Sequence, residues 1–291
     1  MLPAMRLDFL KMQGLGNDFL VFDAPHAAHP FIDSGKLRAL ADRHTGIGFD
    51  QALMLEAPRD AHSRVFYRVF NSDGGEVEQC GNGARCVAAL MYARRPELGR
   101  EMSMESAGGI VRARVREDGM VSVDMGVPNF EPRSLPMAAP GTGAAGRGVP
   151  GEAPAYALDI DGANVEFDAV SMGNPHVILR VADVTTAPVE RFGPLIEGHR
   201  LFPNRTNVGF MQTVDRNHIK LRVFERGVGE TQACGTGACA AVATGVKRGL
   251  LDSQVRVELP GGSAIVDWAG PRQHIWLTGP AMSVFTGSID V

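Results

Sequence analysis

Two stretches of the sequence are nearly identical: RVFNSDGGEVEQCGNGA at residues 68–84 and RVFERGVGETQACGTGA at residues 222–238. We call them the two cysteine phrases. Aligned at a constant offset of 154 residues, they share 9 identities in 17 positions. Because 154 is a little over half of the 291 residues, the repeat predicts two related halves. Each half carries one cysteine of the phrase, Cys80 or Cys234.

The length and composition agree with two domains. A chain of 291 residues with 44% hydrophobic and 21% charged residues is long enough for two cores. We predict an N-terminal half at residues 1–127 that carries Cys80 and is completed by residues 280–291. The C-terminal half, residues 128–279, carries Cys234.

The charge pattern favours a small-molecule partner. The net charge is −4, and lysine and arginine are scattered along the chain, so no basic surface for nucleic acid is indicated. No apolar stretch has the length of a signal peptide or of a membrane span, which predicts a cytoplasmic protein that does not bind membranes. In the reducing cytoplasm four cysteines are expected to remain thiols.

Short runs rich in β-branched or alternating apolar residues alternate with turn-forming residues, which is typical of strands. The predicted strands lie at residues 19–22, 51–55, 64–70, 110–116, 121–125, 165–170, 176–181, 219–224, 255–259, 263–266 and 274–277. The predicted helices lie at residues 34–42, 83–94, 188–197 and 237–248.

The second and fourth predicted helices directly follow the cysteine phrases and are apolar on nearly every side, so we expect both to be buried. The fold class is therefore predicted as α/β (α+β). Each of two pseudo-symmetric halves would wrap a mostly antiparallel sheet around a central apolar helix, with the active site in the cleft between the halves. The Gly/Ala/Pro-rich segment at 138–151 is expected to be a surface loop without chemistry.

In both phrases a glycine follows the cysteine and a helix follows the glycine. A thiol at a helix N-terminus faces unpaired backbone N–H groups and the positive end of the helix dipole, which lowers a thiol pKa from ~8.5 to as little as ~3.5–7.5. We therefore expect Cys80 and Cys234 to act as bases near neutral pH. The same helix ends can bind a carboxylate and stabilise a carbanion formed next to it.

Two thiols suit the inversion of a carbon, because one base on one face must be matched by an acid on the other. A single cysteine before a glycine-rich helix start is more often a packing residue, but the matched repetition favours a catalytic pair. Cys86 and Cys239 lie inside the apolar helices at spacings unlike those of zinc or redox sites, so we interpret them as buried packing residues.

At these residues the chain resembles the diaminopimelate epimerase family. The motifs that carry the resemblance are KMQGLGNDF at 11–19, GIGFDQ at 46–51, NSDG at 71–74, CGNGARC at 80–86, GNPH at 173–176, NRTN at 204–207 and ERGVGETQACGTG at 225–237. They occur in order from about residue 6 to residue 280. The segment at 138–151 departs from the pattern and lies away from every motif.

The resemblance implies inversion of one α-carbon of LL-2,6-diaminopimelate to the meso isomer, in the biosynthesis of lysine and peptidoglycan precursors. It implies no cofactor, neither pyridoxal phosphate nor a metal, and a homodimer. Cys80 and Cys234 match the two catalytic thiols, with Cys80 as donor and Cys234 as acceptor in the LL-to-meso direction.

Further positions match the family's substrate contacts and its pKa-modulating residues. The substrate-binding set is Asn17, Gln51, Asn71, Gly81, Asn82, Asn174, Asn207, Glu225, Arg226, Gly235 and Thr236, and the pKa-modulating pair is His176 and Glu225. Arginine can bind a carboxylate bidentately, and amides surround an ammonium group without adding charge. Gly81, Asn82, Gly235 and Thr236 match positions that hold the reacting carboxylate.

Three alternatives remain open from the sequence. A proline-racemase-like enzyme would share the two-thiol logic, but it resembles Cys-Gly-His where this chain has Cys80, Gly81 and Asn82. A thiol redox protein would need closely spaced cysteines. A ligand-binding protein without activity would not need two activated thiols. Hydrogen exchange at the α-carbon of the substrate discriminates among these classes.

Overall fold

We analysed a computed structural model of the chain, which describes residues 6–23, 33–78, 80–131, 134–135, 137–138, 156–160 and 162–290. The chain divides into two compact units, residues 1–124 with 278–291 and residues 125–277. We refer to them as the first and second unit. Of the predicted loop at 138–151, all but residue 138 lies outside the described residues.

The first unit contains two α-helices and nine strands among its described residues. They are β1 (Arg6–Gly14), β2 (Asn17–Asp23), α1 (Ser34–Ala41), β3 (Gln51–Glu56), β4 (Ser63–Asn71), β5 (Glu76–Val77), α2 (Gly81–Arg94), β6 (Glu101–Ser106), β7 (Gly109–Val115), β8 (Val121–Asp124) and β18 (Met282–Asp290), with a 3-10 turn at Pro96–Leu98.

The second unit has a matching set of elements in its described part. They are β9 (Tyr156–Ile160), β10 (Ala163–Ser171), β11 (Pro175–Arg180), α3 (Val189–Glu197), β12 (Asn207–Asp215), β13 (His218–Glu225), β14 (Gly229–Thr231), α4 (Gly235–Lys247), β15 (Gln254–Leu259), β16 (Gly262–Trp268) and β17 (Ile275–Gly279, whose last two residues belong to the first unit).

The strand pairings of the two units repeat the same pattern. In the first unit β1–β2, β3–β4 and β6–β7 pair antiparallel, whereas β2–β3 and β4–β6 pair parallel. In the second unit β10–β11, β12–β13 and β15–β16 pair antiparallel, and β11–β12 and β13–β15 pair parallel. Each parallel step crosses over through a helix, as parallel neighbours require. The prediction of two pseudo-symmetric halves with mostly antiparallel sheets is confirmed.

Each sheet packs around one helix. Helix α2 contacts β1, β4, β7 and β8, and α4 contacts β10, β11, β12, β13 and β16. The buried residues of α2 run from Gly81 to Ala88, and those of α4 run from Gly237 to Gly245. Apart from Asn82 and Arg85 of α2 and Thr244 of α4, these buried side chains are apolar, as a helix enclosed on all sides requires. None of the helices in the described part of the chain is long and apolar enough to span a membrane.

The helix predictions agree with the structure to within two residues, and every predicted strand coincides with an observed one. Strands β1, β5, β6, β9, β12, β14 and β18 were not predicted. Several lack a clear alternation of apolar and polar residues. In β12, Gly209 weakens the pattern, and the fold uses this glycine to admit Ile178, whose Cδ1 would lie 2.8 Å from an added Cβ.

Candidate active site

Both cysteines of the repeated phrase stand directly before a helix. Cys80 and Cys234 are the N-cap residues of α2 and α4, which begin at Gly81 and Gly235, and both cysteines have extended backbone conformations. The predicted position of each thiol at a helix N-terminus is therefore confirmed. The unpaired N–H groups of each first turn lie next to the sulfur, where an anion is favoured.

The second glycine after each cysteine, Gly83 or Gly237, is closely packed. A Cβ added at Gly237 would lie 3.2 Å from the sulfur of Cys234 and 3.0 Å from Val223 Cγ2. A Cβ at Gly83 would lie 3.1 Å from Leu53 Cδ2. The Gly-x-Gly step thus brings backbone close to the sulfur and to core side chains of the same unit.

The first thiol is surrounded by amides. The Cys80 sulfur lies 3.9 Å from Asn17 Oδ1, and Asn82 Nδ2 donates to the same oxygen at 3.3 Å. Asn17 Nδ2 in turn donates to Asp50 Oδ2 at 2.9 Å. Asn82 is only 3% exposed. The Cys80 S–H therefore has an amide oxygen as its acceptor.

Two further predicted residues form a pair in the first unit. Gln51 Nε2 donates to Asn71 Oδ1 at 2.9 Å, across the register pair that joins β3 to β4. Gln51 Oε1 is buried and accepts no hydrogen bond. An unsatisfied buried acceptor costs free energy, so this oxygen is suited to receive a donor from a ligand.

The second thiol is paired with a carboxyl group. The Cys234 S–H donates to Glu225 Oε2 at 3.1 Å, and Thr231 Oγ1 donates to Glu225 Oε1 at 2.5 Å. The sulfur also lies 3.6 Å from Thr236 Oγ1, to which Asn174 Nδ2 donates at 3.4 Å. The five side chains form one connected polar network.

The expected lowering of the thiol pKa is wrong for Cys234 in this structure. Burial raises the pKa of Cys234 well above its ordinary value, and the neighbouring Glu225 raises it further. Hydrogen bonds from the Gly237 backbone N–H and from Thr236 lower the pKa but do not outweigh burial. Burial also raises the pKa of Glu225. Desolvation of the thiolate therefore exceeds the effect of the helix end.

His176 is a buried residue of β11, although its place after Asn-Pro is typical of an exposed loop. It is 1% exposed, and its Nε2 is hydrogen-bonded to Asn174 Oδ1 at 3.0 Å. Burial, and to a lesser degree the charge of Arg226, lower the pKa of His176 to about 3. His176 is thus neutral near pH 7, and its Nδ1 is buried without a hydrogen-bond partner.

Asn207 and Arg226 lie together at the ends of β12 and β13. Asn207 Nδ2 donates to the Pro175 carbonyl at 3.0 Å, and its Oδ1 accepts from the Arg226 backbone N–H at 3.0 Å. The amide of Asn207 therefore holds backbone in place. The Arg226 side chain is exposed and donates to the Asn204 carbonyl at 3.4 Å.

The predicted residues fall into two groups, one in each unit. Asn17, Gln51, Asn71, Cys80, Gly81 and Asn82 belong to the first unit, and Asn174, His176, Asn207, Glu225, Arg226, Cys234, Gly235 and Thr236 belong to the second. Within each unit these residues, apart from Gly81 and Gly235, are hydrogen-bonded to the thiol or to one another.

Three residues of these networks were missed by the sequence analysis. Asp50 holds Asn17, Thr231 holds Glu225, and Arg85 donates to Asn82 Oδ1 at 2.9 Å. A signal existed for Arg85, which is a charged residue inside an apolar helix. Among the described residues no group of three or more His, Cys, Asp or Glu side chains is arranged to hold a metal ion.

Sequence comparison identifies close relatives over nearly the whole chain. The family model described as diaminopimelate epimerase matches residues 9–131 and 168–284. A diaminopimelate epimerase of Stutzerimonas stutzeri is 50% identical over 285 residues, which cover 98% of this chain and 99% of the relative. One from Nitrosomonas europaea is 50% identical over 289 residues and covers 99% of this chain and 100% of the relative.

Solved structures with similar folds are much more distant in sequence. A hydroxyproline epimerase from Agrobacterium vitis superposes with a TM-score of 0.67 at 14% identity, covering 98% of this chain and 93% of the other. A probable proline racemase from Agrobacterium radiobacter gives a TM-score of 0.65 at 15% identity, covering 97% and 92%. At these identities the likeness shows a common α/β fold.

Proposed function

The chain belongs to the diaminopimelate epimerase family, and we propose that it converts LL-2,6-diaminopimelate into the meso isomer with two cysteine thiols. The reaction supplies precursors of lysine and peptidoglycan. The observation that carries the proposal is that Cys80 and Cys234 occupy the same N-cap position of two equivalent helices, each beside its own set of polar groups. Inversion of a carbon requires an acid and a base on opposite faces, and the repeated thiols supply them.

In this mechanism one thiolate removes the α-proton and the other thiol donates a proton to the opposite face. In the LL-to-meso direction Cys234 is the acceptor and Cys80 the donor, and the roles exchange in the reverse direction. The donor role of Cys80 agrees with its contact in the structure, where its S–H donates to Asn17 Oδ1. The negative charge left on the α-carbon spreads onto the substrate carboxylate. Backbone N–H groups after Gly81 and Gly235 bind that carboxylate.

Cys234 must lose its proton before it acts as a base. Glu225 is the group that can take this proton, since its Oε2 lies 3.1 Å from the sulfur and burial raises the pKa of the carboxyl. We assign one shared proton to the Cys234–Glu225 pair, as expected for two coupled buried groups. Thr236 and the Gly237 N–H stabilise the thiolate when the proton moves to Glu225.

The remaining polar residues distinguish the two ends of the substrate. Gln51 Oε1, a buried acceptor without a donor, suits a substrate ammonium group, and the exposed guanidinium of Arg226 suits the second carboxylate. His176 is hydrogen-bonded to Asn174 and is neutral near pH 7. It therefore does not compete with the N-terminus of α4 for the substrate carboxylate. These contacts would hold the second amino-acid end of the substrate apart from the reacting carbon.

Solvent deuterium exchange tests the function. In D₂O we expect the enzyme to incorporate deuterium at one α-carbon of LL-diaminopimelate while the meso isomer forms, measured by NMR or mass spectrometry. The DD isomer is the matched control, because the distal centre must be read as L, and it should not exchange. Absence of exchange with LL-diaminopimelate would rule out the epimerase, and exchange with L-proline instead would favour the proline-racemase-like alternative.

We also propose a homodimer in the cytoplasm. All four cysteines are thiols, which suits a reducing compartment. Strand β18 exposes Met282, Val284 and Phe285, each about half exposed at 55%, 56% and 48%, and such apolar surface is typical of a contact with a partner. Sedimentation analysis should give a mass of twice 31.1 kDa, and a mass of 31.1 kDa at all concentrations would refute the dimer.

A further inference from the structure

A buried arginine lies at an unfavourable place in the first unit. Helix α2 contains two charged residues, Arg85 and Arg94, and Arg94 is exposed in the last turn, where a cation is favoured. Arg85 is 0% exposed and lies in the second turn, close to the positive end of the helix dipole. Burial and the dipole both disfavour a cation there. A residue kept at such a cost calls for a compensating role.

The fold provides a fitted slot for the guanidinium. A Cβ added at Gly279 would lie 3.2 Å from Arg85 Cζ and Nε, and one at Gly14 would lie 3.3 Å from its NH2. Arg85 Nε donates to the Pro280 carbonyl at 3.3 Å, and NH2 donates to Asn82 Oδ1 at 2.9 Å. Two glycines therefore leave room for the side chain, and two hydrogen bonds fix its orientation.

The two ends of the hydrogen-bonded chain determine the orientation of both amides in it. A guanidinium only donates, so Asn82 must turn its oxygen to Arg85 and its Nδ2 to Asn17. A carboxylate only accepts, so Asn17 must turn its Nδ2 to Asp50 and its oxygen to Asn82. The polarity from Arg85 through Asn82 and Asn17 to Asp50 is thus fixed, although single amides are often ambiguous.

We propose that Arg85 is a positioning residue that acts on Cys80 through the side chains of Asn82 and Asn17. It fixes Asn82, whose Nδ2 shares Asn17 Oδ1 with the Cys80 thiol. By the repeat offset of 154, the second unit has Cys239 where the first has Arg85. The arginine at this position is therefore found beside Cys80 but not at the equivalent position beside Cys234. Its effect on turnover rests on the proposed function, but its effect on the Cys80 thiol does not.

Two other titratable groups interact with Cys80, namely Tyr67 and Cys86, and both are neutral near pH 7. Burial, and secondarily Cys80 itself, raise the pKa of Tyr67 on β4, and burial raises the pKa of Cys86 on α2 to about 12. Asp50 reaches Cys80 through Asn17. Removing the Arg85 charge destabilises a thiolate, and freeing Asn17 Oδ1 from Asn82 strengthens its bond to the S–H. Both changes favour the protonated Cys80.

The test measures the alkylation rate of each cysteine against pH, with iodoacetamide and mass spectrometry of the separate peptides. In Arg85→Met the midpoint for Cys80 should move to higher pH by about half a unit or more, while that of Cys234 stays unchanged. Turnover of LL-diaminopimelate should fall about tenfold. Arg85→Lys, which keeps a charged donor, should restore part of both. Gly279→Ala, which keeps the charge and presses on the guanidinium, should shift Cys80 in the same direction by less.

Arg248→Met is the matched control. Arg248 is a largely buried arginine of the second unit, where it donates two hydrogen bonds of 2.6 Å to Asp168 of the same unit. The substitution should lower the melting temperature and leave the Cys80 midpoint unchanged. An unchanged Cys80 midpoint in folded Arg85→Met would overturn the proposal, and so would equal shifts at both cysteines. If Arg85→Met does not fold, an unchanged midpoint in Gly279→Ala is the refuting result. A Cys80 shift without any diaminopimelate turnover in the wild type would refute the proposed function alone.

Discussion

The two cysteine phrases give nearly the same backbone but different polar surroundings. Cys80 lies in a network of amides that ends at the buried cation Arg85, whereas Cys234 donates to the buried carboxyl of Glu225. At the repeat offset of 154, Asn71 occupies the position of Glu225. The copies have kept the position of the sulfur and diverged in the groups that control its proton.

The strand register extends the comparison to a second pair of positions. Phe19 is opposite Gln51 in the first unit, and His176 is opposite Asn207 in the second. An apolar ring in one unit thus corresponds to a neutral imidazole in the other. The difference teaches that the repeat preserves the strand register around each thiol but not the side chains at the matching positions.

The largest expected effect comes from removing either sulfur. Cys80→Ala and Cys234→Ala should each lower epimerisation at least ~10³-fold, since the opposite face loses its acid or base. Each variant should retain slow α-proton exchange with one isomer, the LL isomer for Cys80→Ala and the meso isomer for Cys234→Ala. Exchange is measured by NMR in D₂O.

Thermal unfolding provides the control for both variants. The loss of stability should be no more than ~1–2 kcal/mol, because only one sulfur is removed from a packed site. A much larger loss with activity retained would favour the packing interpretation of the cysteines. The opposite pairing of variant and isomer would reverse the assignment of donor and acceptor.

A smaller effect is expected when the carboxyl beside the second thiol is neutralised. In Glu225→Gln the pKa of Cys234 should fall, because the negative charge beside the thiolate is removed while burial remains. The alkylation midpoint of Cys234 should move down by about one pH unit, and turnover should fall ~10–100-fold because the proton has no acceptor. Alkylation kinetics and assays of kcat measure the two effects.

Glu197→Gln is the matched control for that prediction. Glu197 is 3% exposed and accepts from the Gly227 backbone N–H and from Arg205, so the variant also loses a buried carboxylate. It should destabilise the protein without changing the Cys234 midpoint. If Glu197→Gln and Glu225→Gln move that midpoint equally, the specific pairing of Glu225 with the thiol is refuted.

The smallest effect is on acid stability and concerns His176. Its pKa is about 3 in the folded protein, below the ~6.5 of an unfolded histidine, so the unfolded chain binds an extra proton between these values. Stability should therefore fall by up to about 1.4 kcal/mol per pH unit as the pH drops below ~6.5, and the loss should level off near the folded pKa.

His176→Gln should flatten this dependence, because glutamine does not titrate and can keep the bond to Asn174. Urea unfolding at pH 7, 6, 5 and 4 measures it. His44→Gln, at an exposed position, should leave the dependence unchanged. The same slope in wild type and His176→Gln would show that another group controls the acid sensitivity of the protein.

Much of the fold was predictable because the repeat and the local patterns agree. The glycines at 81 and 235 end the strand-like part of each phrase and begin a helix, and the Ala-rich runs that follow can only be buried. Strands whose local sequence lacks a clear alternation of apolar and polar residues were not predicted. In β12 the glycine at position 209 contradicts a strand locally but is required by Ile178, a contact that only the folded sheet creates.

The site was predictable in its composition and less so in its energetics. The thiols were placed correctly at helix ends, but the direction of the Cys234 pKa was wrong, because burial at a distance in sequence outweighs a local dipole. His176 was predicted as the first residue of a strand, but its place after Asn-Pro gave no sign that the β10–β11 hairpin carries it into the core.

The sequence alone determined that this protein has two halves with a thiol before a helix in each. Its motifs also specified the diaminopimelate epimerase family. Those features depend on residues close together in the chain, where glycine conformation and helix propensity decide. Only the tertiary structure determined the energies of the two thiols, because it places Cys234 in a buried site beside Glu225, and Cys80 beside Asn17, to which Asn82 donates. Burial and hydrogen bonding between distant segments set those energies, and no local pattern reports them.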